Sequence, residues 1–466
     1  MNLILLTVLA CVLLVLFPAV MLLTATGMQQ RRLPGSYCYE PAGANIRPRY
    51  NGALRLSRYH SLPMPVLVPV SSIHPKAPYT PIHPSGRQPE AVSCRHRAWA
   101  EIHLGHLRHN AVELQRLLSA GTRIMAVIKA DAYGHGSVEV AQTLNRSGIR
   151  HFAVAEIGEG IRLRQHGIQG EILILGYTSP ELASMLAYYR LTQTLVSREY
   201  GESLESYGAP IHVHVKIDTG MNRLGEPYED LPSIRACYRF PHLQVTGTFS
   251  HLSMSGSLEE AETDFTREQF RRFNHVIGQL KLEGVDPGQV HIQSSYGILN
   301  YPVDGYDLVR PGIALYGLLS QEGDQVRRRA DLRPVLTLKA AVTQVKEVEA
   351  GHPVGYGRDY VPFRNIRIAT VSIGYADGIP RSLSEHGGCV LVRGQRASII
   401  GSICMDQLTL DVTSIDGVRQ GDTVTLIGQD GEETITASEI AGRCGTVTNE
   451  ILSRLGSRVK RVYVEE

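Results

Sequence analysis

The sequence predicts an α/β protein in which a (β/α)8 barrel is followed by a mostly β domain. At 466 residues the chain is too long for one ordinary domain. Up to about residue 330, eight short apolar runs alternate with longer polar or amphipathic segments, several of them with helical periodicity; beyond it, β-rich runs dominate. Eight strands separated by helices are typical of a closed barrel, whose functional side chains stand at the carboxyl ends of the strands. We therefore expect the barrel over residues 97–330 and the β domain over residues 331–466.

The individual elements follow from the same patterns. The eight barrel strands are predicted at 123–129, 151–155, 171–175, 192–196, 211–217, 245–251, 290–293 and 307–310. Helices between them are indicated at 138–144, 158–166 and 264–282 by a spacing of apolar residues near 3.6. Strands of the second domain are predicted at 335–345, 366–373, 389–392, 397–400, 408–412 and 423–427.

Residues 3–23 contain no charged residue and are almost entirely apolar. As a helix they would extend about 31 Å, the thickness of the hydrocarbon layer. The first charges, Arg31 and Arg32, follow the segment, so the positive-inside rule predicts a single-pass cell-membrane anchor with the rest of the chain in the cytoplasm. The alternatives are a cleaved export signal and a misassigned start, with Met28 or Met64 as the true first residue.

Residues 24–96 are predicted to be an extended, basic linker. Eleven of the 24 prolines lie between Pro34 and Pro89, and proline at that density blocks both helices and central strands.

The net charge of the whole chain is only +2, which gives no reason to expect a nucleic-acid partner. Its seven cysteines are scattered without a C-x-x-C pair, which argues against a disulfide scaffold or a structural metal site and favours a reducing compartment.

The segment AVIKADAYGHG at 126–136 is the first candidate for chemistry. Lys129 closes a buried apolar strand, and a glycine-rich turn then opens a helix. Partial burial at a barrel mouth lowers the pKa of a lysine and lets its amine bond covalently to an aldehyde cofactor. Tyr133, four residues later, is positioned to reach a phosphate.

The chain resembles the alanine racemase family through seven motifs in a fixed order over residues 97–466. They are VIKADAYGHG at 127–136, KIDTGMNRLG at 216–225, FSHL at 249–252, VRPGIALYG at 309–317, VGYG at 354–357, GYADG at 374–378 and ICMDQ at 403–407. The family's fold is a barrel followed by a β domain. Its members supply D-amino acids for peptidoglycan.

The resemblance implies pyridoxal phosphate as the cofactor, carried covalently by Lys129. Arg310 is expected to face the pyridine nitrogen with His251 beside it. An arginine does not give up its proton near neutral pH, so the ring nitrogen stays largely unprotonated, which favours a reaction that removes and restores one proton. The phosphate is expected at the residues after the seventh and eighth strands and at the early tyrosine: Ser295, Gly312, Ile313 and Tyr133.

Racemisation requires a proton to leave one face of a carbon and return on the other, most simply with two bases. By resemblance these are Lys129 and Tyr356, the latter reaching the site from a second copy of the chain, so the resemblance implies a homodimer with shared active sites and a small amino acid as substrate. Met405 is also expected from the partner, lining the substrate pocket. A neutral phenol is a weak base, and a cation such as Arg223, expected at the substrate, would favour the phenolate.

Four positions leave alternatives open. Lys216 matches a position that carries a carbamate in some members; an ordinary ion-paired lysine would look the same. The block QSSYG at 293–297, Asn222 and Ser457 depart from the common pattern, and Ser457 stands where many members have a tyrosine that contacts the phosphate. Loss of the tyrosine ring would leave extra space beside the substrate side chain, which favours serine as a second substrate. Together with the apolar segment at 3–23, these departures make the chain similar to the membrane-bound serine racemases. The competing functions are a decarboxylase of the same architecture, disfavoured by Arg310, and a non-catalytic membrane protein that binds the cofactor.

Overall fold

The computed structural model describes residues 97–303 and 305–465. Its strands are β1 (Ala98–His103), β2 (Arg123–Val127), β3 (His151–Val154), β4 (Glu171–Ile174), β5 (Thr192–Leu195), β6 (Ile211–Asp218), β7 (Glu226–Pro227), β8 (Leu243–Phe249), β9 (Gln289–His291), β10 (Leu308–Val309), β11 (Leu336–Val348), β12 (Ile366–Val371), β13 (Cys389–Val392), β14 (Gln395–Ile399), β15 (Leu408–Asp411), β16 (Thr423–Asp430), β17 (Glu433–Ile435) and β18 (Lys460–Val464). The α-helices are Leu104–Arg116, Ser137–Arg146, Ile157–Gln165, Ala183–Tyr188, Arg198–Glu205, Leu231–Ala236, Glu260–Leu282, Ser295–Asn300, Ala437–Arg443 and Thr448–Ser453, with a separate turn at Lys129–Tyr133.

The first sheet is a barrel of eight parallel strands in the order β10-β2-β3-β4-β5-β6-β8-β9. The ring is joined between β9 and β10, where the Arg310 amide donates to the Gln293 carbonyl (2.9 Å) and Ser294 forms a parallel bridge with Arg310. All eight predicted barrel strands are confirmed, each within two residues of its expected bounds. Their continuous apolar runs are explained by burial on both faces, as at Ile172, Leu173 and Ile174, which are fully buried.

The second sheet has nine strands in the order β17-β16-β13-β14-β15-β12-β11-β1-β18, and β16 also pairs with β11. The six predicted strands of this domain are confirmed. The expectation that residue 97 begins the barrel is wrong for the first strand. β1 pairs antiparallel with β11 and parallel with β18, with Trp99 opposite both Lys339 and Lys460. An apolar run predicts a strand but does not identify its partners, which here come from the far end of the chain.

The expected membrane anchor (residues 3–23) and linker (24–96) lie outside the described residues. Across the part of the chain that is described, the longest helix, Glu260–Leu282, is amphipathic, and no helix there is both long and apolar enough to cross a bilayer.

Candidate active site

A cavity of about 410 Å³ opens at the carboxyl ends of the barrel strands. Nine of the eleven predicted site residues line it: Lys129, Tyr133, Lys216, Arg223, His251, Ser295, Arg310, Gly312 and Ile313. They come from separate parts of the sequence and meet because parallel strands all end at one face of the barrel. Tyr356 and Met405 are not among the lining residues of the same chain.

Lys129 starts a turn that runs in the left-handed sense. Ala130, Asp131, Ala132 and Tyr133 have φ values of 52°, 51°, 56° and 53°. Each such residue with a side chain costs about 1–2 kcal/mol, so four in a row need support from their surroundings. Glu159 supplies part of it, since its carboxylate accepts hydrogen bonds from the Ala130 amide (2.6 Å) and the Ala155 amide (2.7 Å).

The surroundings of Lys129 favour its neutral amine. Burial lowers the pKa of Lys129, the positive charge of Arg223 lowers it further, and Glu159 acts in the opposite direction. A neutral amine has the free electron pair needed to bond to an aldehyde or to accept a proton. The structure thus favours for Lys129 the protonation state that both expected roles require.

One end of the cavity fits a phosphate group. The Ser295 hydroxyl accepts hydrogen bonds from the backbone amides of Gly312 (3.0 Å) and Ala314 (3.2 Å). A Cβ atom on Gly312 would come within 2.5 Å of the Tyr133 hydroxyl, so the missing side chain leaves room for that hydroxyl. Burial raises the pKa of Tyr133 to about 12, which keeps its hydroxyl a donor. Hydroxyl and amide donors gathered at helix starts are a setting in which proteins bind phosphate.

Arg310 also lines the cavity and is almost completely buried. Its guanidinium donates to the carbonyls of Ser250 (2.6 Å) and Ile292 (3.0 Å), and it contacts Nδ1 of His291 (2.6 Å) and of His251 (3.2 Å). Burial lowers the pKa of Arg310 to about 9, which leaves it charged at neutral pH. The pKa of His251 lies well below its ordinary value because of burial and the neighbouring Arg310 charge. Arg310 therefore offers a cation whose hydrogen-bonding neighbours are neutral.

Lys216 is also buried in this region, with its ammonium position 4.7 Å from the centre of the Phe249 ring. Burial lowers the pKa of Lys216 well below its ordinary value, and the charge of Arg310 acts in the same direction.

Arg223 extends from the loop after β6, where Asn222 has φ 55°. Asparagine tolerates this left-handed conformation better than most residues, which explains how it replaces the glycine common at this position.

Tyr356 and Met405 lie on the surface of the β domain. Tyr356 is 72% exposed and Met405 52% exposed. Gly355 and Gly357 flank the tyrosine with φ values of 79° and 74°, which present it on a tight turn. Nearby Phe363 is 91% exposed. Within one chain the structure therefore does not bring Tyr356 to Lys129.

Four further polar residues line the cavity and were not predicted as site residues: Ser294, Tyr296, Ser320 and Asn449. Tyr296 lies within the departing block at 293–297; its hydroxyl bonds to Asp324 and accepts from the Ser320 amide (2.6 Å). The Oδ1 atom of Asn449 is buried and has no hydrogen-bond partner among the described residues. Asn449 comes from the β domain, and no local signal points to it. Ser457 is exposed and does not line the cavity.

A barrel with a lysine of lowered pKa at its mouth, a phosphate site beside the hydroxyls of Ser295 and Tyr133 and a buried arginine in the same cavity is typical of a pyridoxal-phosphate-dependent enzyme. The residues present fit this cofactor at both ends, through the space left by Gly312 and through Arg310. The chain belongs to the alanine racemase family, whose members are pyridoxal-phosphate-dependent isomerases. The family model "Alanine racemase, N-terminal domain" matches residues 102–320, and "Alanine racemase, C-terminal domain" matches residues 335–463.

Relatives of two lengths are similar to this chain. The alanine racemase of Carboxydothermus hydrogenoformans is 45% identical over 78% of this chain and 99% of its own length. The amino-acid racemase of Enterococcus faecalis is 45% identical and the serine/alanine racemase of Enterococcus gallinarum 41% identical, each over 78% of this chain. This chain spans about half the length (51%) of those two proteins. Among solved structures, alanine racemase from Clostridium difficile 630 superposes with a TM-score of 0.74 at 36% identity, covering 79% of this chain and 96% of that one.

Proposed function

We propose that this protein interconverts L-alanine and D-alanine with pyridoxal phosphate, through two bases on opposite faces of the substrate. The observation that carries the proposal is the meeting of Lys129 and Arg310 in one cavity, with a phosphate site built from Ser295, Gly312 and Tyr133. When bound, pyridoxal phosphate withdraws electrons from the α-carbon of the substrate and makes its hydrogen acidic.

The chain's own residues do the rest. Lys129 anchors the cofactor and accepts or returns the α-proton at Nζ on one face. Arg310 holds the ring nitrogen without donating its proton, since it stays charged near neutral pH. That limits electron withdrawal and disfavours decarboxylation, which needs a stronger electron sink. Arg223, at the cavity wall, binds the substrate carboxylate.

The second base is assigned to Tyr356 of the partner subunit, with Met405 of the partner subunit lining the substrate pocket. The support is the exposure of both side chains on the surface of the β domain. In a two-fold symmetric dimer both subunits use the same surface for contact, so each chain would complete the active site of the other. Members of this family are typically dimeric.

Lys216 is proposed to carry a carbamate. Burial and the charges of Arg310 and Arg223 lower the pKa of its amine and so favour the neutral form. A neutral amine takes up carbon dioxide with loss of one proton, and the resulting anion would offset those cations. Growth of a carbon-13 carbamate signal on addition of labelled bicarbonate to the wild-type protein, and its absence in Lys216→Met, tests the assignment.

L-serine is proposed as a second substrate. One relative is named a serine/alanine racemase, and the cavity wall carries the polar groups of Tyr296, Ser320 and Asn449. A methyl and a hydroxymethyl group differ by only about 1–3 kcal/mol in such pockets. A kcat/KM for L-serine more than about a thousandfold below that for L-alanine contradicts this proposal.

Residues 3–23 are proposed to hold the enzyme at the cell membrane, with the catalytic part in the cytoplasm. The support is their uncharged, apolar sequence followed by basic residues. Fractionation of cells that express the full chain tests this. Recovery of the activity in the washed membrane fraction agrees with it, and recovery in the soluble fraction contradicts it.

The main proposal is tested by incubating the purified protein with L-alanine and separating the products on a chiral column. Formation of the D-enantiomer up to a racemic mixture is the expected result. Release of carbon dioxide would identify a decarboxylase instead. Bound cofactor without either product would identify a non-catalytic binding protein.

A further inference from the structure

A line of buried polar side chains crosses the barrel interior below the active site. Nη1 of Arg310 lies 2.6 Å from Nδ1 of His291. Nε2 of His291 lies 2.9 Å from Nδ1 of His214, and Nε2 of His214 lies 2.8 Å from Oε1 of Glu171. We call these four residues the Glu171 relay. Both histidines are fully buried.

The relay connects the two mouths of the barrel. Arg310 follows β10 at the carboxyl-end mouth, whereas Glu171 is the first residue of β4 at the amino-end mouth. There Glu171 is part of the wall of a second cavity of about 610 Å³. The two imidazoles come from β6 and β9, so strands on different sides of the interior supply successive members.

The direction of the contacts follows from the chemistry of the two ends. A guanidinium only donates, so Nδ1 of His291 must accept from Arg310 and the proton of this imidazole sits on Nε2. That nitrogen then donates to Nδ1 of His214, whose proton in turn sits on Nε2 and faces the Glu171 carboxylate. The first two contacts are hydrogen bonds that point the same way, and hydrogen bonds in series polarise one another. The third is a close electrostatic contact, 2.8 Å between Nε2 of His214 and the Glu171 carboxylate.

The residues packed against the two histidines fix the positions of their rings. The Phe249 ring stacks on His291 with 4.9 Å between ring centres and 4° between planes. A Cβ atom on Gly247 would come 2.6 Å from the His214 ring, so only glycine leaves that ring in place. Burial and the charge of Arg310 hold the pKa of His291 well below its ordinary value, which keeps it neutral as the relay requires.

Glu171 also meets an electrostatic need of Arg310. Within residues 97–303 and 305–465 no carboxylate forms an ion pair with Arg310. The carboxylate at the other end of the relay is linked to it through the imidazoles of His214 and His291. A second histidine, His151, also lies near the Glu171 carboxylate, with its Nε2 4.0 Å from Oε2.

We propose that Glu171 is a positioning residue of the active site, which acts through His214 and His291 to hold the orientation and charge of Arg310 from the opposite mouth of the barrel. This inference rests on the proposed function in one respect, namely that Arg310 faces the ring of the cofactor. A network that served only to satisfy buried polar groups would need the hydrogen bonds but not the negative charge of Glu171.

The first test uses the wild-type holoenzyme. Neutron diffraction from deuterium-exchanged crystals is expected to show one deuteron on Nε2 of both His214 and His291 and none on Nδ1 of either. A deuteron on Nδ1 of either ring, or on both nitrogens of one ring, overturns the proposal. This result does not depend on turnover, so a protein that racemised no amino acid would refute the proposed function and leave this outcome readable.

The second test compares Glu171→Gln with His212→Ala, an exposed residue of β6 at the same mouth. The side-chain amide of E171Q keeps an oxygen acceptor for His214 and removes the negative charge. We expect E171Q to lower kcat by about tenfold, the scale on which outer partners of active-site groups act, and to shift the absorption band of the bound cofactor. H212A is expected to change neither.

Wild-type kcat and an unchanged cofactor band in E171Q overturn the proposal. An equal loss in H212A does so too, since it would trace the effect to disturbance of the mouth. If E171Q does not fold, the deuteron positions in the wild-type protein decide alone.

Discussion

Gly312 and the Tyr133 hydroxyl face each other so closely that a Cβ atom on Gly312 would lie 2.5 Å from that oxygen. The two residues are far apart in the sequence, yet together they bound the phosphate end of the cavity. The absence of a side chain at Gly312 leaves the space that the Tyr133 hydroxyl occupies.

Gly312→Ala is therefore expected to push the Tyr133 hydroxyl away and to weaken pyridoxal phosphate binding. Loss of one good hydrogen bond, about 1.4 kcal/mol, corresponds to a tenfold higher Kd. Absorbance titration of the apoenzyme measures it. Gly278→Ala, at a helical position with no atom within 4 Å of the new methyl group, is the control. A Kd for G312A within twofold of that for G278A contradicts the assignment.

The amine of Lys129 is expected to respond in opposite directions to two charge-removing variants. Arg223 lowers its pKa and Glu159 raises it. Arg223→Gln should therefore move the pKa of Lys129 upward, and Glu159→Gln should move it downward. The measurement is the pH dependence of competitive acylation of Lys129 in the apoenzyme, read by mass spectrometry. Shifts of the same sign in both variants contradict the description of this site.

Shared active sites predict complementation between two inactive proteins. Lys129→Ala and Tyr356→Phe should each abolish most activity as homodimers. After subunit exchange about half of the dimers are mixed, and each has one intact site, so about a quarter of wild-type activity should return. Lys281→Ala, at an exposed lysine far along the chain, is the control for Lys129→Ala and should leave the homodimer active. Absence of recovery on mixing would show that each chain uses its own Tyr356.

The left-handed turn predicts an uncommon gain from glycine. Ala130 is exposed and has φ 52°, so Ala130→Gly removes a steric cost and should raise the free energy of unfolding by about 0.5–1 kcal/mol. Ala261→Gly, exposed on the helix Glu260–Leu282, should lower it by a similar amount, about 0.5–1 kcal/mol. Urea denaturation of the apoenzymes compares them. Equal destabilisation by both substitutions is incompatible with the turn described here.

Much of the architecture could be predicted because its causes are local. The apolar runs of the barrel strands show in the sequence, since both faces of each strand are buried. The lysine that ends the first barrel run and the arginine that ends the last then fall at one mouth by topology alone. The motif series adds the roles of those residues.

The remainder depends on partners that are distant in the sequence. In isolation, the segment 130–132 would favour an ordinary right-handed turn. The Glu159 carboxylate helps to hold it in the left-handed conformation by accepting a hydrogen bond from the Ala130 amide. The Glu171 relay draws on four strands or strand ends, and single histidines in apolar runs resemble ordinary core residues. Asn449 enters the cavity from the second domain, which no local pattern indicates.

The pairing of β1 with β11 and β18 has a consequence for synthesis on the ribosome. Six residues that emerge early, Ala98–His103, acquire both of their neighbours only after Lys460–Val464 has left the exit tunnel. Until then the buried side chains of Trp99 and Ile102 lack their final surroundings. A nascent chain can assemble its barrel strands in order, but the second sheet closes last, so truncated products keep an unpaired strand edge that invites aggregation.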